Sequence, residues 1–141
     1  MSKGIPIGEA AEQSGVKVPT IRYYEQIGLL AAPFRSGGNR RYYEAADLRR
    51  LAFIRHAREL GFEIDAIRAL LSLQDNPDAP CATADEIARA RLKEVEQRIA
   101  SLTALKAELV RMVMECASGR VAECRVIETL ADHMHVHGRL A

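Results

Sequence analysis

At 141 residues the chain holds one ordinary domain, or a small head with an extended helical arm. Its formal net charge of +1 divides unevenly: residues 1–60 carry ten Lys/Arg against six Asp/Glu (+4), residues 61–141 ten against thirteen (−3), so an anionic partner is expected at the amino half only. Three cysteines, an odd number, argue against a disulfide framework; there is no amino-terminal signal-like run and no stretch near ~18 apolar residues, which leaves reduced thiols in a cytoplasm as the expectation.

Ile7, Ala10 and Ala11 fall at helical spacing within Ile7–Ser14, and Gly15 can end that segment in a left-handed conformation. Pro19 suits the first turn of a second helix. There Ile21, Tyr24 and Gly28 share one face, while Arg22, Tyr23 and Gln26 share the other. Two short helices joined by a tight turn make a helix-turn-helix, whose second helix can enter a DNA major groove. Between Pro33 and Tyr43, the turn cluster Ser36-Gly37-Gly38-Asn39 precedes Arg40-Arg41-Tyr42-Tyr43. Alternation puts Arg41 and Tyr43 on one face of a strand, Arg40 and Tyr42 on the other. A two-stranded wing of this composition is suited to gripping phosphates.

Leu48, Leu51, Ile54 and Ala57 recur at helical intervals up to Gly61, and Ile64, Ile67, Leu70 and Leu71 mark a further helix before the loop Asp75–Pro80. Both are expected to pack against the head, and His56 is read as a surface or hydrogen-bonded residue. Thr83-Ala84-Asp85-Glu86 reads as a capping box opening the longest helix. Leu92, Val95, Ile99, Leu102, Lys106, Leu109, Val113 and Cys116 then step by three and four, with Lys106 alone interrupting the apolar seam. A sustained heptad pairs with another helix, and few apolar segments remain to cover this one, so a homodimer is expected.

Cys81 stands just before that helix, Cys116 closes it, and Cys124 follows after seven residues. About 33 residues at ~1.5 Å rise cover roughly 50 Å, so Cys81 and Cys116 of one chain cannot share an ion. Metal–sulfur bonds are only about 2.3 Å long. If two chains pair antiparallel, Cys81 of one approaches Cys116 and Cys124 of the other, and the twofold axis makes two equivalent sites. Thiolates favour soft or borderline ions. His133, His135 and His137 are candidates for secondary ligands, although an incidental histidine-bearing tail is the commoner case.

Thr20-Ile21-Arg22-Tyr23-Tyr24-Glu25, Gly28-Leu29-Leu30, Arg35-Ser36 and Arg41 with Tyr43 resemble the MerR family of bacterial transcriptional regulators. The resemblance covers nearly the whole chain, because the later helices and the cysteines match in order and spacing. It implies a mainly α fold: a winged helix-turn-helix DNA-binding head with connecting helices at 1–75 and an antiparallel coiled-coil dimerisation helix at 81–116. A metal-binding loop and short helix at 116–132 and a His-containing tail at 133–141 would follow. Carried over by position, Arg22 and Tyr23 contact DNA from the recognition helix, and Arg35, Arg41 and Tyr43 contact its backbone from the wing. Arg40 departs from the aromatic residue that many members carry.

The resemblance further implies a cytoplasmic homodimer, not an enzyme, with double-stranded promoter DNA and RNA polymerase as partners and no membrane. Metal binding would activate transcription by bending and untwisting the promoter. The copper-responsive branch carries serine at the position of Cys81, and a third thiolate suits a divalent ion. Cadmium or lead is favoured, with zinc close behind because the adjacent cysteine pair of a two-zinc site is missing. Mercury(II) and copper(I) stay open as effectors, as does a thiol-redox switch joining Cys116 to Cys124. No motif combines a nucleophile, a general base and an oxyanion donor.

Overall fold

In the computed structural model the described residues are 4–35, 41–115, 119–132 and 134. Two compact units divide the chain, Met1–Ile87 and Ala88–Ala141.

The first unit opens with a two-residue strand, β1 (Ile5–Pro6), then α1 (Ile7–Ser14) and α2 (Val18–Gln26). Gly15 ends α1 at φ 74°, its N–H donating to the Ala11 carbonyl at 2.9 Å. A side chain would be strained there, which is why glycine occupies the turn. Pro19 sits in the first turn of α2, where no intrahelical N–H is needed. Strands β2 (Phe34–Arg35) and β3 (Arg41–Tyr43) follow, and the sheet order is β1-β3-β2, all antiparallel. The wing is therefore three-stranded rather than two-stranded. Ile5–Pro6 is too short to show a period, and Pro6 is tolerated because β1 is an edge strand.

α3 (Ala45–Glu59) begins at a reciprocal capping box that the sequence reading did not find: Glu44 and Asp47 each accept the other's backbone N–H. After Gly61 the chain forms α4 (Ile64–Gln74). Leu51, Ile54, Ile67 and Leu71 are fully buried with Ile21 and Leu30, so the two connecting helices do pack on the head as expected. His56 is exposed, with Nε2 3.5 Å from the Arg55 guanidinium.

α5 runs unbroken from Ala82 to Glu115, 34 residues. The expected capping box at Thr83 does not open it. The Cys81 carbonyl accepts the Asp85 N–H at 3.0 Å, so Cys81 is the N-cap and Thr83 lies inside the first turn.

In the second unit a 3-10 turn (Val121–Glu123) leads into α6 (Arg125–Ala131). α6 lies against α5, with Met112 and Thr129 buried between them and a cavity of about 280 Å³ lined by Leu105, Leu109, Val126 and Leu130. Arg125 fastens the contact, its Nε 2.9 Å from Glu115 Oε2 and its Nη1 3.2 Å from Glu128 Oε1. The heptad seam stays uncovered. Leu92, Ile99, Leu102, Leu109 and Val113 are between 48 and 68% exposed.

Candidate nucleic-acid interface and thiol ligands

The two faces of α2 separate as their spacing requires. Ile21 and Tyr24 are buried in the head, whereas Arg22, Tyr23 and Gln26 are exposed. The Tyr23 ring is tilted 49° against Tyr24 at a centroid distance of 6.1 Å, within the range of ordinary aromatic contacts. That contact leaves Tyr23 49% exposed beside Arg22, so a cation and a phenol project from one helix face. Such a pair can donate to base edges or phosphates.

On the wing, the β2–β3 register sets Arg35 opposite Arg41 and Phe34 opposite Tyr42. Arg40 lies outside the described residues. Tyr43 does not sit where a phosphate contact needs it. It is 1% exposed, and its hydroxyl donates to the Glu25 carboxylate of α2. The phenol is drawn inward because β3 is the central strand and its Tyr43 face lies over the helices. Tyr43 therefore ties the wing to the recognition helix and is corrected here from a DNA contact to a core residue. Glu25 is the partner the sequence reading missed, since nothing local links positions 18 residues apart.

Of the thiols, Cys81 is exposed at the N-cap of α5. Cys124 is half-buried at the N-cap of α6; its carbonyl accepts the Glu128 N–H at 2.9 Å, and its own N–H donates to the Val121 carbonyl at 3.1 Å. Backbone hydrogen bonds on both sides fix the position of Cys124. Cys116, His133, His135 and His137 lie outside the described residues. Among the described residues no three His, Cys, Asp or Glu side chains converge as a metal cluster within this single chain.

A helix-turn-helix with a β wing, followed by a long helix with an exposed apolar seam, defines a class of helix-turn-helix regulatory proteins. Residues 5–74 match the family described as MerR HTH family regulatory protein, and residues 48–112 match MerR, DNA binding. The HTH-type transcriptional regulator HmrR of Rhizobium leguminosarum bv. viciae is 40% identical over 126 residues, which cover 89% of this chain and 97% of HmrR. ZntR of Escherichia coli K12, also an HTH-type transcriptional regulator, is 40% identical, covering 88% of this chain and 90% of ZntR. Among solved structures, the transcription regulator PbrR691 from Ralstonia metallidurans CH34 in complex with lead(II) superposes with a TM-score of 0.77. It is 36% identical, and the match covers 89% of this chain and 98% of that one. The chain belongs to the MerR family. These relatives are transcriptional regulators, not enzymes.

Proposed function

We propose that this protein is a metal-responsive transcriptional activator that binds promoter DNA as a homodimer and responds to a soft divalent ion. The observation that carries the reading is the exposed position of Cys81 at the first turn of α5, with Cys116 next in the sequence after Glu115, the last described residue of that helix. The donor set fits such an ion. Three thiolates, Cys81 of the partner subunit with Cys116 and Cys124, supply soft ligands and enough negative charge for cadmium or lead, with zinc next. A bound ion would supply a neutralising link between the two subunits. The exposed seam from Leu92 to Val113 supports pairing of two α5 helices. The relative PbrR691 was solved with lead(II), and the MerR of Bacillus megaterium MB1, 30% identical with a TM-score of 0.69, was solved with mercury(II). Thiolate ligation requires reduced cysteines, which suits a cytoplasmic protein working with RNA polymerase.

On DNA, Arg22 and Tyr23 would enter the major groove from α2, with Arg35 and Arg41 on flanking phosphates. The ion must favour the promoter-distorting form of the dimer over the other, because equal affinity for both shifts nothing. His133, His135 and His137 would serve as secondary ligands.

Promoter output under anaerobic, reducing conditions tests the reading. Cadmium(II), lead(II) or zinc(II) should each be able to activate transcription from the operator, and the strongest response names the effector. Silence to every ion, with activation by oxidant, would transfer the function to a disulfide switch. The docking mode has its own test. Arg22→Ala should weaken operator binding by roughly 1–3 kcal/mol and narrow the gap between operator and random DNA. Arg41→Ala should weaken both DNAs alike and reduce the salt slope by about one. Both are read by anisotropy titration across salt, and unchanged affinities in both variants would sink the assignment.

A further inference from the structure

Arg50, midway along α3, holds two separate segments with one guanidinium. Its Nε donates to the Leu29 carbonyl at 2.8 Å, and its Nη1 lies 3.1 and 3.3 Å from the two carboxylate oxygens of Asp75. Leu29 belongs to the turn leaving the recognition helix, and the N–H groups of Leu29 and Leu30 both donate to the Tyr24 carbonyl, at 2.9 and 3.2 Å. Asp75 is the C-cap of α4 and stands six residues before Cys81. The intervening turn has little slack: Asn76 N–H bonds the Leu73 carbonyl at 3.0 Å and Ala79 N–H bonds the Asn76 carbonyl at 2.9 Å. α4 meets the same exit turn a second time. A Cβ placed on Gly28, at φ 82°, would lie 3.5 Å from Arg68 Nη1.

We propose that Arg50 is a positioning residue that carries displacement of the α4–α5 junction to the recognition helix, so that occupancy at Cys81 changes how α2 is held for DNA. The proposal rests on the metal-responsive reading above. A planar guanidinium suits this task because its donors are fixed in one fork, so two acceptors held by it keep a set angle. A lysine has one mobile nitrogen and cannot span both. Stability does not require the link. The Asp75 side chain is 61% exposed, and exposed ion pairs add little to folding. α4 is seated independently by Ile67 and Leu71, which are buried among the head residues.

The test uses the full-length dimer carrying Asp75→Ala, which keeps the Arg50–Leu29 bond, and in parallel Arg50→Lys. Three quantities are read: operator affinity without metal, cadmium(II) uptake followed by thiolate absorption under reducing conditions, and transcription with and without cadmium(II), lead(II) or zinc(II). Operator affinity should stay within about twofold and cadmium uptake should be unchanged, while the induction ratio falls at least about fivefold, the low end of ordinary allosteric coupling. Induction equal to that of the wild type would overturn the proposal. So would a loss of operator affinity that accounts for the lost induction, since that marks a purely structural brace. A wild-type protein silent to all three ions removes the metal-responsive reading itself and this proposal with it.

Discussion

Mixing Cys81→Ser chains with Cys116→Ser/Cys124→Ser chains is expected to give a heterodimer that binds one soft divalent ion with near-native affinity, whereas neither parent homodimer does. Each homodimer lacks ligands in both of its symmetry-related sites. In the heterodimer one site loses everything. The other takes Cys81 from one chain and Cys116 with Cys124 from its partner, so all three thiolates return. The parents should bind worse by more than the about 10–100-fold typical of an outer-shell change, because ligands themselves are gone. Misfolding is an unconvincing alternative for the first parent: Cys81 is the N-cap of α5, a position where serine is among the preferred residues. Metal titration of purified heterodimers, with sulfur ligation followed by absorption, gives the answer. Absence of a tight three-sulfur site would show that the thiols are not combined across subunits.

The second large effect lies in the head. Leu51 is fully buried in α3, among residues contributed by α1, α2, α4 and the exit turn. Truncating it to alanine should cost about 2–5 kcal/mol through lost transfer energy and a cavity that such a small core closes only in part. Domains have only about 5–15 kcal/mol to lose, and small ones sit at the low end. Leu51→Ala should therefore lower the melting temperature by roughly 10 °C or more and abolish operator binding near that temperature. Leu60→Ala is the matched control, since Leu60 is 65% exposed and its truncation should stay within about 0.5 kcal/mol. Equal melting of the two variants, by circular dichroism, would contradict the packing described for α3.

What was legible in the sequence was what short-range chemistry decides. α1, its Gly15 terminus, Pro19 in the first turn of α2 and the buried pair Ile21 and Tyr24 all follow from spacing and backbone preference within a few residues. α5 was legible because its heptad persists far longer than chance allows. Two of the failures, at β1 and Tyr43, come from pairing between distant segments. β1 forms only because β3 returns to pair with it, and Tyr43 turns inward because Glu25 waits 18 residues earlier in the chain. Strand alternation correctly separates Tyr42 from Tyr43 but cannot say which face meets the helices. At Thr83 the motif for a capping box was present, yet Cys81 had already accepted the first helical hydrogen bond. At Glu44 the box was real but written with two acids, Glu44 and Asp47, rather than the hydroxyl pattern that the rule looks for. The brace at Arg50 joins residues 21 and 25 positions away, so no window along the sequence contains it.

The half-exposed leucines and valine along α5 have a consequence for how many copies of this protein a cell must hold. In the proposed homodimer this apolar face is covered by the second copy, so the stability of the assembly depends on protomer concentration. Every tenfold fall in protomer concentration takes about 1.4 kcal/mol from the assembled form. For that proposed dimer scarcity acts twice, thinning the pool of molecules that search for an operator and loosening each one that remains. Lys106 is the single charge in that seam. An apolar residue there would hold dimers together at lower abundance and relax the register that keeps the two ends of the helices aligned.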